Sequence, residues 1–560
     1  MQTQAQIAVN PAPPKARPAW TPALIAATVA GAALGAAFPS LGWSGLAWIA
    51  LIPLLLVVAE AGSLWRALWP GYAAGAAFFA VSCPWIAATI HNYGDLSGAL
   101  TGLVFVLFLL LMGSYLALFA AAGYWLGRGT GHRWALLPFL WVAVEWLRTY
   151  TPMGGFPWNL LGYSQTNNLG FMRVTTVTGI YGASLLIALV NTWLAYMVAH
   201  AWRWHRRAGG SLPVARPFWL AAGGVAAIGI FAALPFQPAP APVTLHARLV
   251  QPNTPLDTTW SAADLDRFLA AQLSLSAPAG APRANLVIWP EQPAPLNYRL
   301  EPDFQRTTVA LEQRTGASFL FGEVTYPATP NGAPNYNQPR NSAQLIHPNG
   351  TTGPRYDKMH LVPFGEYVPL PAWFAHFAGV SKMLQDVSDF VPGQQTVLFP
   401  LSEHRFAAND QRFAPNDQRF ATMICYESIF PALARHDVAA GAAWLVNQSD
   451  DSWYGNSSAA PQGLMMARVR AIENQRWLLR DTDNGITAVI DPHGRVTASL
   501  PRFQAAALEA GFAPETQLTF YTRHGDWLPF LCAVMIVLAG IFTACGARVT
   551  PPAQERRKAA

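Results

Sequence analysis

Hydrophobic and polar positions divide the chain into two kinds of pattern. Between residues 20 and 235, and again between 527 and 545, apolar residues continue for whole helix lengths with few charges. A bilayer core requires roughly 17–25 such residues. The runs at 22–38, 41–59, 69–90, 98–126, 134–147, 174–202, 218–234 and 527–545 therefore predict a polytopic α-helical membrane bundle of eight spans. The run at 134–147 is short and carries Glu145 near its end. Charge placement keeps it as a span. With eight spans, Lys15, Arg17, Arg66, Arg128, Arg133, Arg203, Arg206, Arg207, Arg216, Arg548, Arg556, Arg557 and Lys558 share one side, and the opposite short loops carry only Arg148 and Arg173. Cytoplasmic loops are the ones enriched in Lys and Arg, so both termini are expected in the cytoplasm and residues from about 240 to 522 on the outer face.

The pattern within that outer part is different. After a proline-rich linker at 235–242, short β-branched runs at 246–251, 286–289 and 318–323 alternate with amphipathic stretches at 262–275 and 303–314. Such alternation predicts an α/β sheet packed by helices. The Asn349-Gly350 step predicts a hairpin. Further elements are expected at 444–449, 461–474 and 486–490. The expected organisation is a disordered cytoplasmic tail at 1–19, a seven-span bundle at 20–235, a soluble domain at 243–522, an eighth span at 527–545 and a basic cytoplasmic tail at 546–560. No cleavable signal is evident, because the first apolar run leads straight into others. Arg-Phe-Ala recurs at 405, 412 and 419; Pro415 and the Asn-Asp pairs argue against a coiled coil, and a slipped duplication lengthening a surface hairpin accounts for it.

Composition agrees with this division. Hydrophobic residues make up 52% of the chain and charged residues 12%, the latter about half the usual share for soluble proteins. The net charge of +6 does not indicate nucleic-acid binding, since the basic residues mostly flank apolar spans. Three of the four cysteines, Cys83, Cys532 and Cys545, lie in apolar runs and read as small buried hydrophobes. Cys425 stands alone in the soluble domain, which excludes a disulfide framework there and makes it a nucleophile candidate.

The run from Ala421 to Ile424 reads as a buried strand that delivers Cys425 at its tip. Two other apolar runs end in charged residues: one leads to Trp289-Pro290-Glu291, the other to Lys358 in Tyr356-Asp357-Lys358-Met359-His360. A thiol needs a base to take its proton and nearby positive charge to hold the charge that develops. Glu291 is the expected base and Lys358 the expected cation, on sulfur or on an oxyanion. No metal spacing, phosphate loop or Gly-x-Ser-x-Gly elbow is present, so no metal or cofactor is expected. The stretch 154–165, rich in glycine and aromatics, has two open readings: an interfacial aromatic belt, or the floor of a lipid-binding cleft under the soluble domain.

The order Glu291, Lys358, Cys425 and the residues around each resemble the nitrilase superfamily. The whole chain is similar to its membrane-integrated members, the apolipoprotein N-acyltransferase family. The resemblance is carried by Phe156-Pro157-Trp158, Gly162-Tyr163-Ser164-Gln165, Trp289-Pro290-Glu291, the run from Tyr356 to Pro369, Cys425-Tyr426-Glu427-Ser428, the stretch 450–455, and 467–473. It implies an α-β-β-α sandwich for the soluble domain. It also implies a ping-pong acyl transfer from a membrane phospholipid, through a thioester on Cys425, to the α-amino group of a diacylglyceryl-cysteine on an apolipoprotein. Glu366 and Glu427 would then support the site, Trp260 and Tyr426 would shape substrate binding, and Ser428 would belong to the same supporting or substrate-binding set. The implied setting is the bacterial inner membrane, multi-pass, with a monomeric chain and its catalytic domain in the periplasm. Two rivals remain at this point: a membrane-anchored nitrilase-type amidase, and a transporter with an appended domain. A mere anchor would need one span, and the apolar runs carry few of the charges that mark ion pathways.

Overall fold

The computed structural model describes residues 20–94, 96–129, 133–206, 224, 242–256, 260–280, 282–369, 389–401 and 418–549. The expected seventh span at 218–234 apart from residue 224, the N-terminal tail, the end of the C-terminal tail and most of the Arg-Phe-Ala repeat lie outside the described residues.

The apolar part is a helical bundle: α1 (Trp20–Ala36), α2 (Ile52–Glu60), α3 (Leu64–Ser82), α4 (Trp85–Tyr93), α5 (Gly98–Gly129), α6 (Arg133–Tyr150), α7 (Ile180–Arg206) and, after the soluble domain, a last helix at Trp527–Val549. Small residues let these helices approach closely. An added Cβ at Gly31 of α1 would strike the Ala74 backbone of α3, and one at Gly75 would lie 2.8 Å from the Gly113 Cα of α5. Helices α3 and α5 run antiparallel, since Gly71 meets Leu116 and Ala120 while Gly75 meets Gly113. Arg66 at the start of α3 lies over the Trp20 ring at 5.6 Å, so α1 and α3 begin at the same end.

Among the described residues, three helices are long and apolar enough to cross a membrane (98–128, 180–202 and 527–545), or four if one bent pair counts as a single span. The expected eight are thus not seen as eight long helices. The run at 41–59 divides into a 3₁₀ turn, Ser44–Trp48, and α2. The run at 69–90 breaks between α3 and α4 with a bend of 62°. Pro84 causes that break: it lacks an N–H and pushes the residue before it out of the helical region, and Cys83 accordingly has φ −126° and ψ 40°.

The soluble part contains two six-stranded sheets. The first comprises β1 (Leu245–Gln251), β2 (Leu286–Ile288), β3 (Ser318–Thr325), β4 (Arg340–Ile346), β5 (Thr352–Asp357) and β12 (Ala506–Phe512), in the order β12-β1-β2-β3-β4-β5. The second comprises β6 (Phe399–Pro400), β7 (Arg419–Ile424), β8 (Trp444–Ser449), β9 (Leu478–Thr482), β10 (Ala488–Ile490) and β11 (Val496–Ser499), in the order β11-β10-β9-β8-β7-β6. Inward-facing residues of both sheets, among them Leu249, Ile288, Leu345, Phe420, Val446 and Leu479, form one buried cluster between them. Helices α8 (Ala262–Ser276) and α9 (Pro302–Thr315) cover the outer face of the first sheet. Helices α10 (Pro431–Ala439) and α11 (Ala459–Asn474) cover the second, and the cluster they join continues without interruption into the membrane helices. The layers are α-β-β-α, with the fourth layer docked on the bundle.

Candidate active site

Parallel strands collect their carboxyl ends on one edge of a sheet, where sites form. Lys358 and Cys425 directly follow the last residues of β5 and β7, and Glu291 follows β2 after Trp289 and Pro290. Alternation along β7 turns Phe420 and Ile424 towards the other sheet and Ala421 and Met423 towards the helices. The next residue breaks that alternation. Cys425 has φ +50°, a conformation a non-glycine side chain adopts at a cost, and it packs against the inter-sheet cluster instead.

Glu427 explains how the turn is held. This fully buried carboxylate accepts from Ile424 N–H at 2.8 Å on one oxygen. The other oxygen accepts from Tyr356 O–H at 2.7 Å, Met359 N–H at 2.7 Å and His360 N–H at 3.0 Å. It therefore staples the turn at Cys425 to the loop that carries Lys358. Burial pushes the Glu427 carboxyl up, while these donors pull it back.

Lys358 is 1% exposed and donates to Glu291 Oε1 at 3.0 Å and to Glu366 Oε1 at 2.9 Å. Asn341 Nδ2 bridges the same two carboxylates at 2.7 Å each. Val362 N–H holds the second oxygen of Glu366 at 2.8 Å, and Asp450 N–H holds that of Glu291 at 3.0 Å. Burial alone would lower the Lys358 pKa, but Glu291, Glu366 and Cys425 outweigh it and keep it well above the usual lysine value. The half-buried Cys425 thiol is pushed up, by burial first and then by Glu291, against the opposing pull of Lys358 and a hydrogen bond to Ser449. The resting pair is thus a neutral thiol and a protonated lysine. Asp450 is raised to about 8 by burial and by Asp483.

The membrane part reaches into this site. Tyr426 O–H donates to Gly155 O at 3.1 Å, and Tyr367 O–H to Met153 O at 3.3 Å. The stretch 154–165 is no interfacial belt: Trp158, Leu160, Leu161 and Tyr163 are all buried. Arg148 pins it by donating to Phe156 O at 3.0 Å and Trp158 O at 2.8 Å. Ser428 Oγ donates to Cys425 O at 3.1 Å. Among the described residues Trp260 makes no hydrogen bond or ring contact with this cluster; it packs edge-on against Phe268 of α8 with ring centres 5.5 Å apart.

The chain matches the model of the apolipoprotein N-acyltransferase N-terminal domain over residues 30–193 and that of carbon-nitrogen hydrolases over 246–516. It is 34% identical to the apolipoprotein N-acyltransferase of Geobacter metallireducens over 92% of this chain and 94% of that one. The chain belongs to the apolipoprotein N-acyltransferase family. The corresponding proteins of Methylococcus capsulatus and Nitrosomonas europaea are 31% and 32% identical, over 94% and 90% of this chain and 96% of each of theirs. Saccharomyces cerevisiae Nit3, a member of branch 10 of the nitrilase superfamily, matches 50% of this chain and 96% of its own at 18% identity, with a TM-score of 0.36, too low to carry an argument.

Neither a membrane-anchored amidase nor a transporter with an appended domain is favoured by a match to acyltransferases that spans both the bundle and the hydrolase-like domain. In this member of the apolipoprotein N-acyltransferase family, several site groups escape a reading by motif. Asn341 lies in a hairpin strand with no signature, and Ser449 ends an ordinary buried strand. Their roles arise only when the strand ends converge.

Proposed function

We propose that the chain is an apolipoprotein N-acyltransferase whose site works as follows. Cys425 Sγ attacks the carbonyl carbon of a phospholipid acyl ester while Glu291 takes the thiol proton. Lys358 stabilises the oxyanion that forms. The ester C–O bond then breaks, the lysophospholipid oxygen takes the proton from Glu291, and a thioester remains on Cys425. In the second half-reaction the free amine of a diacylglyceryl-cysteine attacks the thioester, Glu291 takes the amine proton, and the proton returns to the departing sulfur. Glu366 holds Lys358, Glu427 holds the nucleophile turn, and Tyr426 ties it to the membrane loop.

The observation that carries this reading is the hydrogen bond from Tyr426, next to the nucleophile, to Gly155 of the membrane bundle. A hydrolase of soluble amides has no use for a site built on a bilayer-embedded loop. A lipid acyltransferase does, because keeping the acyl chain in the bilayer avoids exposing it, at about 0.8 kcal/mol per CH₂. No metal or cofactor takes part in these steps. The proposed setting is the bacterial inner membrane, crossed eight times, with residues 243–522 in the periplasm and the chain acting as a monomer. The bundle supports that orientation independently of the span count. Helix α3 begins and α5 ends at the end of the bundle that carries Arg66 and Arg128. The catalytic domain docks at the opposite end, where Tyr93 of α4 meets Trp453 edge-on.

The test is mass spectrometry of the purified protein with vesicles of phospholipid carrying a labelled acyl chain. The expected result is one acyl group on the Cys425 peptide, discharged when a diacylglyceryl peptide with a free N-terminus is added. No adduct, or discharge to water alone, would overturn the proposal.

A further inference from the structure

Gln462 lies on α11 in the catalytic domain, yet every partner of its side chain but one belongs to the membrane part. It is fully buried. Its Oε1 accepts from the indole N–H of Trp158 at 2.6 Å and from that of Trp85 at 3.2 Å. Its Nε2 donates to Ser82 O at 2.7 Å, to Pro39 O, and to Ser458 Oγ at 3.4 Å. Indoles only donate and carbonyls only accept, so the orientation of the amide is unambiguous and its capacity is fully used.

These partners come from four separate places in the bundle: the turn after α1, the end of α3, the start of α4 and the aromatic stretch. Two of them lead directly to the chemistry. Trp85 meets Tyr454 edge-on with ring centres 5.1 Å apart, in the loop whose Asp450 N–H holds Glu291. Trp158 stacks with Phe156, next to the Gly155 carbonyl that receives Tyr426. One amide thus fixes both sides of the site against the bundle.

We propose that Gln462 is a positioning residue that sets the height of the catalytic domain over the bilayer, and so favours acyl donors held in a membrane over soluble ones. This rests on the acyltransferase reading above. A soluble ester reaches Cys425 wherever the domain stands, whereas a phospholipid carbonyl lies at a fixed depth. A displacement of the order of 1 Å is enough to cost about a hundredfold in rate.

The experiment compares two acylation rates of Cys425 in full-length protein in nanodiscs. One donor is nanodisc phospholipid, followed by mass spectrometry of the adduct. The other is p-nitrophenyl acetate, whose transfer to sulfur releases p-nitrophenolate, with Cys425→Ala as the blank. For Gln462→Leu the expected result is a loss of about tenfold or more with phospholipid and a change within about threefold with the soluble ester. A parallel fall in both rates, or no change in either, overturns the proposal. If Gln462→Leu does not yield folded protein, the same two rates and criteria apply to Gln462→Asn, which keeps the amide but shortens its reach. A wild-type protein acylated by the soluble ester but never by phospholipid would instead overturn the acyltransferase reading itself.

Discussion

Glu427→Gln changes one oxygen to an amide nitrogen without altering the volume, and the structure defines what that costs. All the groups facing this carboxylate act as donors: three on one oxygen, and Ile424 N–H on the other. A glutamine best keeps its oxygen where three donors converge, which turns its NH₂ group towards Ile424 N–H. One hydrogen bond to a charged group is lost, worth about 1.5–3 kcal/mol, and a buried N–H is left unpaired, at about 1–3 kcal/mol more. The local cost is therefore about 2.5–6 kcal/mol, placed one residue before Cys425, which is held at positive φ. If even a third of it is felt in the transition state, thioester formation slows about tenfold, since each 1.36 kcal/mol is a factor of ten. Single-turnover adduct formation followed by mass spectrometry reads the rate, and thermal unfolding in detergent reads the stability. A variant within threefold of wild type in rate, with an unchanged unfolding temperature, would refute the stapling role.

Asn341→Leu removes the amide that bridges Glu291 and Glu366, and should slow thioester formation by about 10²-fold from the loss of charge-assisted bonds; near-normal single-turnover kinetics would show that Lys358 alone organises both carboxylates. Glu312 on α9 is fully buried, neither of its carboxylate oxygens has a hydrogen-bond partner, and burial pushes its pKa up to about 9. Between the unfolded value and 9 the folded state keeps a proton that the unfolded state releases, so stability falls by about 1.4 kcal/mol per pH unit as pH rises. Glu312→Gln should therefore stabilise the protein more at pH 8.5 than at pH 5.5, and equal gains at both would contradict this sign. For orientation, Ala333→Cys and Gly62→Cys both introduce exposed thiols without steric conflict. In a cysteine-free background on spheroplasts, the first should react with an impermeant maleimide and the second only after the membrane is opened; the reverse would put the catalytic domain on the cytoplasmic side.

Local pattern made much of this legible. The short strands ending at Glu291, Lys358 and Cys425, and the helices at 262–276 and 302–315, form where periodicity and turn residues indicate. The helical bundle was harder to read, because hydropathy reports burial in lipid without reporting continuity. Pro84 divides one apolar run, and the 3₁₀ turn at Ser44–Trp48 divides another. Strand β12 carries no local signal, since Ala506–Phe512 is poor in β-branched residues and owes its conformation to antiparallel pairing with β1. The same limit explains Asn341 and Gln462. A polar residue in an ordinary element gives no local signal when its partners lie far away in sequence, such as the 304 residues between Gln462 and Trp158.

The charges in the site restrict how the thiol can react. Glu291 and Glu366 share Lys358, so this trio already carries one excess negative charge before the reaction begins. Ionising Cys425 beforehand would add another beside Glu291 in a largely buried site, and the raised thiol pKa reflects this. In the proposed mechanism, transfer of the proton to Glu291 during the attack avoids the problem. As sulfur gives up its proton, Glu291 loses its negative charge, and the charge passes through sulfur to the carbonyl oxygen, so the total is unchanged throughout. Lys358 is relieved of one carboxylate at the moment the oxyanion appears, which frees its ammonium to stabilise the new charge. A lysine paired with a single carboxylate would lose its only anchor at that step. Glu366, held by Val362 N–H and Asn341, does not change charge, and so keeps Lys358 in place while Glu291 is neutral.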